Sequence, residues 1–246
     1  MFSDLYTTGE YVKHNPDWHV LESPWKVEEI LRMLARHNIA PRSICEVGCG
    51  AGEILKLLQE HMGDECMLWG FEISPYAFEL SQTRANERLQ FKLADIQEER
   101  DVFYDLLLVM DVLEHMEDYF SLLRNIRTKS RYKLFHVPLD LSVRTILRRH
   151  LLEVRERFGH IHYFTKELAI RVLHDTGYTV LDWFYTREPV IFPPDDPSAT
   201  RGDLLMTHAR QSVWKMRKVP AKIVFALDQD LAVRLSSDWR LLILAA

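Results

Sequence analysis

Cysteine is scarce: Cys45, Cys49 and Cys66 make an odd set with no CxxC pair. That excludes a disulfide scaffold and a thiolate zinc finger, and it fits a reducing compartment. Long apolar runs are missing too, the longest, around Leu106–Met110, being far too short to span a bilayer. The first residues, MFSDLYTTGEYVKHNP, hold no cationic stretch followed by an apolar one. No secretory signal is therefore expected, and the expected location is cytoplasmic. Positive charge is not in excess. Lys and Arg number 31 against 36 Asp and Glu, a formal net charge of −5. That argues against a dedicated nucleic-acid binder, though not against a local basic patch.

What remains is an ordinary globular balance: 246 residues, 47% hydrophobic and 27% charged. Such a chain can bury a sizeable core as one large domain with insertions, but it is too short for two independent enzymes. Residues 1–42 read as an aromatic, turn-rich arm (Phe2, Tyr6, Tyr11, Trp18) followed by a helix. Ser23-Pro24 opens that helix, with Ser23 suited to its N-cap, and Val27, Ile30, Leu31 and Leu34 form its apolar stripe.

From Ser43 short apolar runs alternate with amphipathic ones. Strands are expected at Ser43–Val47, Met67–Glu72, Leu89–Leu93, Asp105–Met110, Lys133–Val137, Tyr178–Phe184 and Trp239–Leu244. Helices are expected at Glu53–His61, Pro75–Arg88, Asp118–Ser130 and Thr165–Thr176. The alternation predicts an α/β fold, a mostly parallel sheet covered by helices on both faces. Two stretches break the rhythm. Residues 139–162 carry a basic amphipathic helix, and residues 187–238 begin with FPPDDPSATRGD and continue as two helices. Both are expected to be substrate-side or lid inserts on a cofactor-binding half at 43–138.

Between the first strand and first helix lies Glu46-Val47-Gly48-Cys49-Gly50-Ala51-Gly52-Glu53. Glycines there let the chain turn sharply and let a ligand approach the main chain. The spacing is G-x-G-x-G. A dinucleotide fingerprint needs a small residue where Glu53 stands, which argues against a nicotinamide or flavin oxidoreductase. Glu72, at the end of the second strand, can accept hydrogen bonds from two adjacent ribose hydroxyls. Asp95, after the third strand, can accept from an exocyclic amine. Glu46 sits in an apolar strand, where a carboxylate without a partner is costly, so a bound partner is expected.

These motifs in order, E-V-G-C-G-A-G-E, G-F-E-I-S, A-D-I and Y-D-L-L-L-V-M-D-V-L-E-H, resemble the class I S-adenosylmethionine-dependent methyltransferases over roughly residues 43–184. W-R-L-L-I-L-A near the end resembles that family's last strand, and the segment around Tyr11–Trp25 resembles the N-terminal region of some bacterial members. The resemblance implies a Rossmann-like, doubly wound, seven-stranded sheet whose last strand is antiparallel. It also implies S-adenosylmethionine as cofactor and S-adenosylhomocysteine as product. Carried over on that basis, Glu46, Gly48, Gly50 and Gly52 line the methionine and ribose side, with Cys49 in the same loop and no thiol chemistry. Glu72 holds the ribose, Ile73 lies against adenine, Asp95 binds its amine and Ile96 packs nearby. Met110, Asp111 and Val112 form the floor by the methyl group.

Methyl transfer from a sulfonium needs alignment and exclusion of water, and a base where the acceptor carries a proton. His115, just after the fourth strand, is the expected base, with His160 and His162 as further substrate-side candidates. Asp111, Glu114, His115 and His136 show neither zinc nor calcium spacing, so no metal is expected. The absence of G-x-S-x-G excludes the common serine hydrolase elbow.

Residues 144–157 hold five arginines against two glutamates, a local +3, and Arg148 and Arg149 are the candidates for holding an anionic acceptor such as a phosphorylated sugar or lipid-linked precursor. Peripheral contact with an anionic membrane, or a homodimer, is a further use of that helix. The expected function is methyl transfer to a small-molecule acceptor. Alternatives are a non-catalytic cofactor-binding or scaffold protein, and a methyltransferase of protein or nucleic acid. M-D-V-L in place of an N-P-P-Y type motif argues against adenine or glutamine-amide methylation.

Overall fold

The computed structural model describes Asn15, Trp18 and residues 20–187, 219–236 and 238–246. The start of the aromatic arm and the FPPDDPSATRGD loop lie outside them. Seven strands, β1 (Ser43–Val47), β2 (Met67–Glu72), β3 (Leu89–Leu93), β4 (Tyr104–Met110), β5 (Ser130–Pro138), β6 (Val180–Arg187) and β7 (Trp239–Ala245), form one sheet. Its order is β3-β2-β1-β4-β5-β7-β6. All neighbours among β1–β5 run parallel, while β7 is antiparallel to both β5 and β6. This is the doubly wound sheet with an antiparallel last strand that the motif order implied.

The strand pattern explains why the sheet is buried on both faces. Alternate residues Cys45, Val47, Leu107, Val109, Phe135, Val137, Leu241 and Ile243 join one apolar cluster. Their neighbours Ile44, Leu106, Leu108, Met110, Leu134, Leu242 and Leu244 join another. A strand apolar at consecutive positions can satisfy both only between two layers of helix. On the second face lie α1 (Ser23–Arg36), through Val27, Ile30, Met33 and Leu34, and α2 (Glu53–Gln59), through Ile54, Leu55 and Leu58. The first face is covered by α4 (Tyr119–Ile126) and α7 (Lys166–Asp175), while α3 (Pro75–Gln82), beside β3, packs Phe78 on the second.

Several local expectations are corrected. Ser23 is not the cap of α1: a 3-10 turn at Val20–Glu22 runs straight into the helix, and Glu22 takes the cap position without a side-chain cap bond. Helix α3 stops at Gln82 instead of Arg88, because Asn86 Oδ1 accepts from the backbone of Arg88 and Leu89 at 3.0 and 3.1 Å. A side chain that bonds its own neighbourhood in this way competes with the helix. The single basic helix of 139–162 is two helices, α5 (Val143–Leu147) and α6 (His150–Phe158), broken at Arg149, whose φ is +54°. The two helices of the second insert are present as α8 (Val219–Leu227) and α9 (Gln229–Leu235). Among the described residues no helix is long and apolar enough to cross a membrane.

Gly70, inside β2, marks the tightest packing against the sheet. A Cβ there would stand 2.5 Å from Phe91 and 2.6 Å from Cys49 Sγ. Gly70→Ala is therefore expected to destabilise the fold by about 1–3 kcal/mol through overpacking. Thermal unfolding followed by circular dichroism should show the midpoint fall by several degrees, and an unchanged midpoint would refute this packing.

Candidate active site

A cavity of about 970 Å³ opens at the carboxyl ends of β1, β2 and β4, where the strand order reverses between β1 and β4. Loops leaving strands that diverge at such a point leave a crevice between them, so doubly wound sheets bind ligands there. The volume is at the upper end of what a single small-molecule site occupies.

The glycine loop forms one wall. Gly48 N and Cys49 N donate to the Phe71 carbonyl at 2.8 and 3.1 Å, tying the loop to β2. Gly48 has φ +65°, and a Cβ on it would press on Val112 at 3.1 Å. Gly48, Cys49 and Gly50 line the cavity, whereas Gly52 does not: it turns back against Phe91, whose ring leaves 2.5 Å for a Cβ. Its part is to start α2 with φ +78°. Glu53 also lines the cavity, but Arg84 Nε at 2.5 Å and Lys56 Nζ at 3.1 Å neutralise it and hold its carboxyl below the usual range despite partial burial. The case against a dinucleotide therefore rests on the bulk of Glu53 more than on its charge.

Glu72 is buried and accepts three backbone N–H groups. Gly50 N binds Oε2 at 2.8 Å, while Ile73 N and Ser74 N bind Oε1 at 2.9 and 2.8 Å. Burial raises its pKa and these donors oppose the rise. Each carboxylate oxygen accepts about two hydrogen bonds, so Oε2 keeps capacity for a further donor. Glu46 is 2% exposed, and its Oε2 has no hydrogen-bond partner. Burial pushes its pKa well up, Lys26 pulling the other way. Asp95 lines the cavity and folds its own turn, accepting from Gln97 N at 2.8 Å and Gln97 Nε2 at 3.0 Å. Ile73 is 43% exposed beside it, but Ile96 is turned into the core. The expectation that Ile96 packs against the ligand is thus corrected: in a 3-10 turn the residue after Asp95 points the opposite way.

Met110, Asp111 and Val112 form the floor. Asp111 adopts φ +54°, which Asp tolerates better than most residues. Its carboxylate takes Lys26 Nζ at 2.7 Å and His136 Nδ1 at 2.8 Å. His136 Nε2 meets Thr186 Oγ1 at 2.9 Å. Burial lowers the His136 pKa, and Asp111 opposes the fall. Although burial disfavours its charge, Asp111 stays ionised, its pKa held well below the usual range by His136 and Lys26. Burial likewise works against the Lys26 charge, and Asp111 and Glu22 more than reverse that.

Another wall of the cavity is built by the turn Leu113–His115 and the segment after α6. Ile161 N and His162 N donate to the Glu114 carbonyl at 2.8 and 3.2 Å, stitching the two together. His115 and His160 consequently meet edge to face, with centroids 4.8 Å apart, and both line the cavity. His162 does not. It packs against Tyr119, and its Nε2 is buried without a hydrogen-bond partner. Arg148 and Arg149 are exposed and stand outside the cavity wall, because the break between α5 and α6 turns them to solvent. From α6 it is His150, Val154, Arg157 and Phe158 that face inward. Lys26 and Asp140 escaped the sequence reading, which weighed Glu114 only within a rejected metal set and Arg157 only within the basic stretch 144–157. Glu114 had a visible signal, an acid beside His115 in an otherwise apolar stretch, and Lys26 another, a lone cation one turn before Ile30 on an apolar helix face.

Breaking a buried ion pair by removing one partner costs roughly 3–5 kcal/mol. Lys26→Met should therefore lower stability in denaturant unfolding by that order, and adding Asp111→Asn should recover part of the loss. Additive destabilisation in the double variant would show that the pair is not coupled.

A family model described as a methyltransferase domain matches residues 18–182. No curated protein sequence matches the chain. Among solved structures it is similar to the plantazolicin methyltransferase in complex with S-adenosylhomocysteine, at 15% identity and TM-score 0.62, covering 99% of this chain and 93% of that one. It is also similar to a SAM-dependent methyltransferase from Archaeoglobus fulgidus, at 16% identity and TM-score 0.54, over 93% and 99% of the two chains. A third is the magnesium protoporphyrin IX methyltransferase of Synechocystis PCC 6803 with bound S-adenosylhomocysteine, at 17% identity and TM-score 0.53, over 68% and 78%. At these identities the likeness is one of fold. The family match extends over most of the chain and includes the whole glycine-loop wall: the chain belongs to the methyltransferase domain family.

Proposed function

We propose that the protein transfers the methyl group of S-adenosylmethionine to a small-molecule acceptor bound at the α6 side of the cavity. The observation that carries this reading is Glu46 Oε2, buried without a partner on the same wall as the Gly48–Gly50 backbone, Glu72 and Asp95. A carboxylate left so is costly unless a ligand supplies a donor or a positive charge. The cofactor, when bound, supplies both an ammonium and a methyl on positively charged sulfur, already activated for in-line displacement.

The chain's own groups then have separable parts. Glu46 and the loop amides receive the amino-acid end, Glu72 Oε2 accepts from the ribose, and Asp95 and Ile73 flank the base. Asp111 keeps negative charge on the floor because Lys26 and His136 fix its carboxylate. Trp239, Phe158 and Val154 contribute apolar wall, which limits water near the floor. His115 Nδ1 lies 3.2 Å from the Gly159 carbonyl, which can only accept. Nδ1 therefore carries the hydrogen, and Nε2 is the nitrogen that would take an acceptor's proton. Arg157 is a cationic group on the α6 side of the cavity, and it favours an anionic acceptor in place of the exposed Arg148 and Arg149.

Titration calorimetry with S-adenosylmethionine and S-adenosylhomocysteine should give micromolar binding, with no binding of NAD. Glu72→Ala should abolish it, but that change also frees three backbone donors, so Asp95→Ala is the companion variant. It is expected to weaken binding roughly tenfold, in line with loss of one or two hydrogen bonds. No binding of either sulfur ligand by folded wild type would overturn the reading. In a turnover screen, Arg157→Glu is expected to raise KM for anionic acceptors selectively. Equal effects on neutral ones would sink the anionic assignment.

A further inference from the structure

Glu114 is a costly side chain to bury. It is 0% exposed, and neither carboxylate oxygen has a hydrogen-bond partner. Protonation would remove its charge and still leave a buried hydroxyl donor without an acceptor. The nearest cationic-capable atom is His115 Nε2, 3.8 Å from Oε1, too far for a hydrogen bond but near enough to share a third atom.

Two imidazoles converge on that carboxylate, and each has its tautomer set from behind. His115 Nδ1 faces the Gly159 carbonyl at 3.2 Å. His160 Nδ1 faces Asp140 Oδ2 at 2.6 Å. Both partners accept only, so each ring carries hydrogen on Nδ1, which leaves Nε2 as the nitrogen that can ligate. A histidine braced through one nitrogen by a carboxylate or carbonyl, with the other nitrogen turned to a shared centre, is the arrangement that holds a metal. One ligand atom from each of Glu114, His115 and His160 lies within 4.8 Å of the others.

We infer that Glu114, His115 and His160 form a binding site for a divalent transition-metal ion, Zn²⁺ or Mn²⁺ in type, with Asp140 as the positioning residue behind His160. Two nitrogens and one carboxylate make a donor set suited to such ions, and three protein ligands leave a position open. Bonds of about 2.1 Å place tetrahedral ligand atoms about 3.4 Å apart. The Glu114–His115 spacing already approaches that, and the widest pair, now within 4.8 Å, has to close by about 1.4 Å. His160 follows the α6 cap at Gly159, in the segment attached to the Leu113–His115 turn through the Glu114 carbonyl.

This set differs from the one suggested by proximity in sequence, and it revises the expectation that no metal is bound. Asp111 and His136 are already committed to Lys26 and Thr186, and His160 arrives from far along the chain. Because all three ligands line the cavity, the open position faces the acceptor side. An acceptor hydroxyl or phosphate oxygen fits it, and a metal ion there lowers the pKa of a bound hydroxyl. That last role rests on the methyltransferase reading; the site itself does not. His115 Nε2 would then be a ligand, not a free base.

The test is calorimetry on the full chain, stripped with chelator and titrated with Zn²⁺ and separately with Mn²⁺ in the absence of cofactor. Co²⁺ absorption serves as an independent report of nitrogen and oxygen ligation. One ion per chain is expected, with affinity at least tenfold weaker in His160→Ala and Glu114→Gln, and 10- to 100-fold weaker in Asp140→Asn. Glu114→Gln should leave the thermal midpoint equal or raised, which a merely structural glutamate would not do. Absence of saturable binding by either ion, or affinities unchanged in both His160→Ala and Glu114→Gln, would overturn the site. S-adenosylhomocysteine titrated in parallel keeps the two readings apart: metal binding without it removes the methyltransferase role alone, and the reverse removes the metal alone.

Discussion

Asp111 can remain ionised at the end of β4 only because Lys26 from α1 and His136 from β5 reach its carboxylate at 2.7 and 2.8 Å. An unpaired charge at that depth would cost several kcal/mol. The requirement fixes more than one residue. It fastens α1 across the mouth of the sheet, orients the His136 ring between Asp111 and Thr186 of β6, and holds the chain in a left-handed turn at the strand end. From that turn the chain enters Val112–His115, so the position of Glu114 and His115 follows from the same contact.

Around this anchored floor the cavity is acidic. Glu46, Glu72, Asp111 and Glu114 all line it, and only Asp111 among them has a buried cation in direct contact. Glu72 is satisfied by backbone donors, while Glu46 and Glu114 each leave buried oxygen without a partner. Excess buried negative charge is a poor way to stabilise a fold and a good way to receive positive charge. The two unpaired acids lie on opposite sides of the floor residues in sequence. One belongs with the glycine loop, and the other with the histidines.

The inserts act through how they break. The sequence pattern predicts a continuous basic helix over 139–162. The left-handed Arg149 divides it instead, sending Arg148 and Arg149 to solvent while Arg157 and His150 face the cavity. Gly159 ends α6 in the same left-handed region and releases the chain toward the Glu114 carbonyl. The capping box between Ser142 and Thr145, with Thr145 Oγ1 also on the Asp140 carbonyl, stiffens the stretch that carries Asp140.

The sequence by itself determined the sheet, its two-sided burial and the glycine-loop wall. Consecutive apolar residues in β4 admit only a covered strand, and glycines at positive φ with an acid one strand later announce a ligand near the backbone. Those are local patterns, with periods of two or four residues. Only the tertiary structure decided that Ile96 and Gly52 turn away from the cavity, that Glu53 is neutralised by Arg84, and that Lys26 belongs to the floor. It alone brought His160 and Asp140 to Glu114. Such pairings join residues far apart in the chain, and their geometry depends on where helices stop and at what angle the next segment leaves, which no local period encodes.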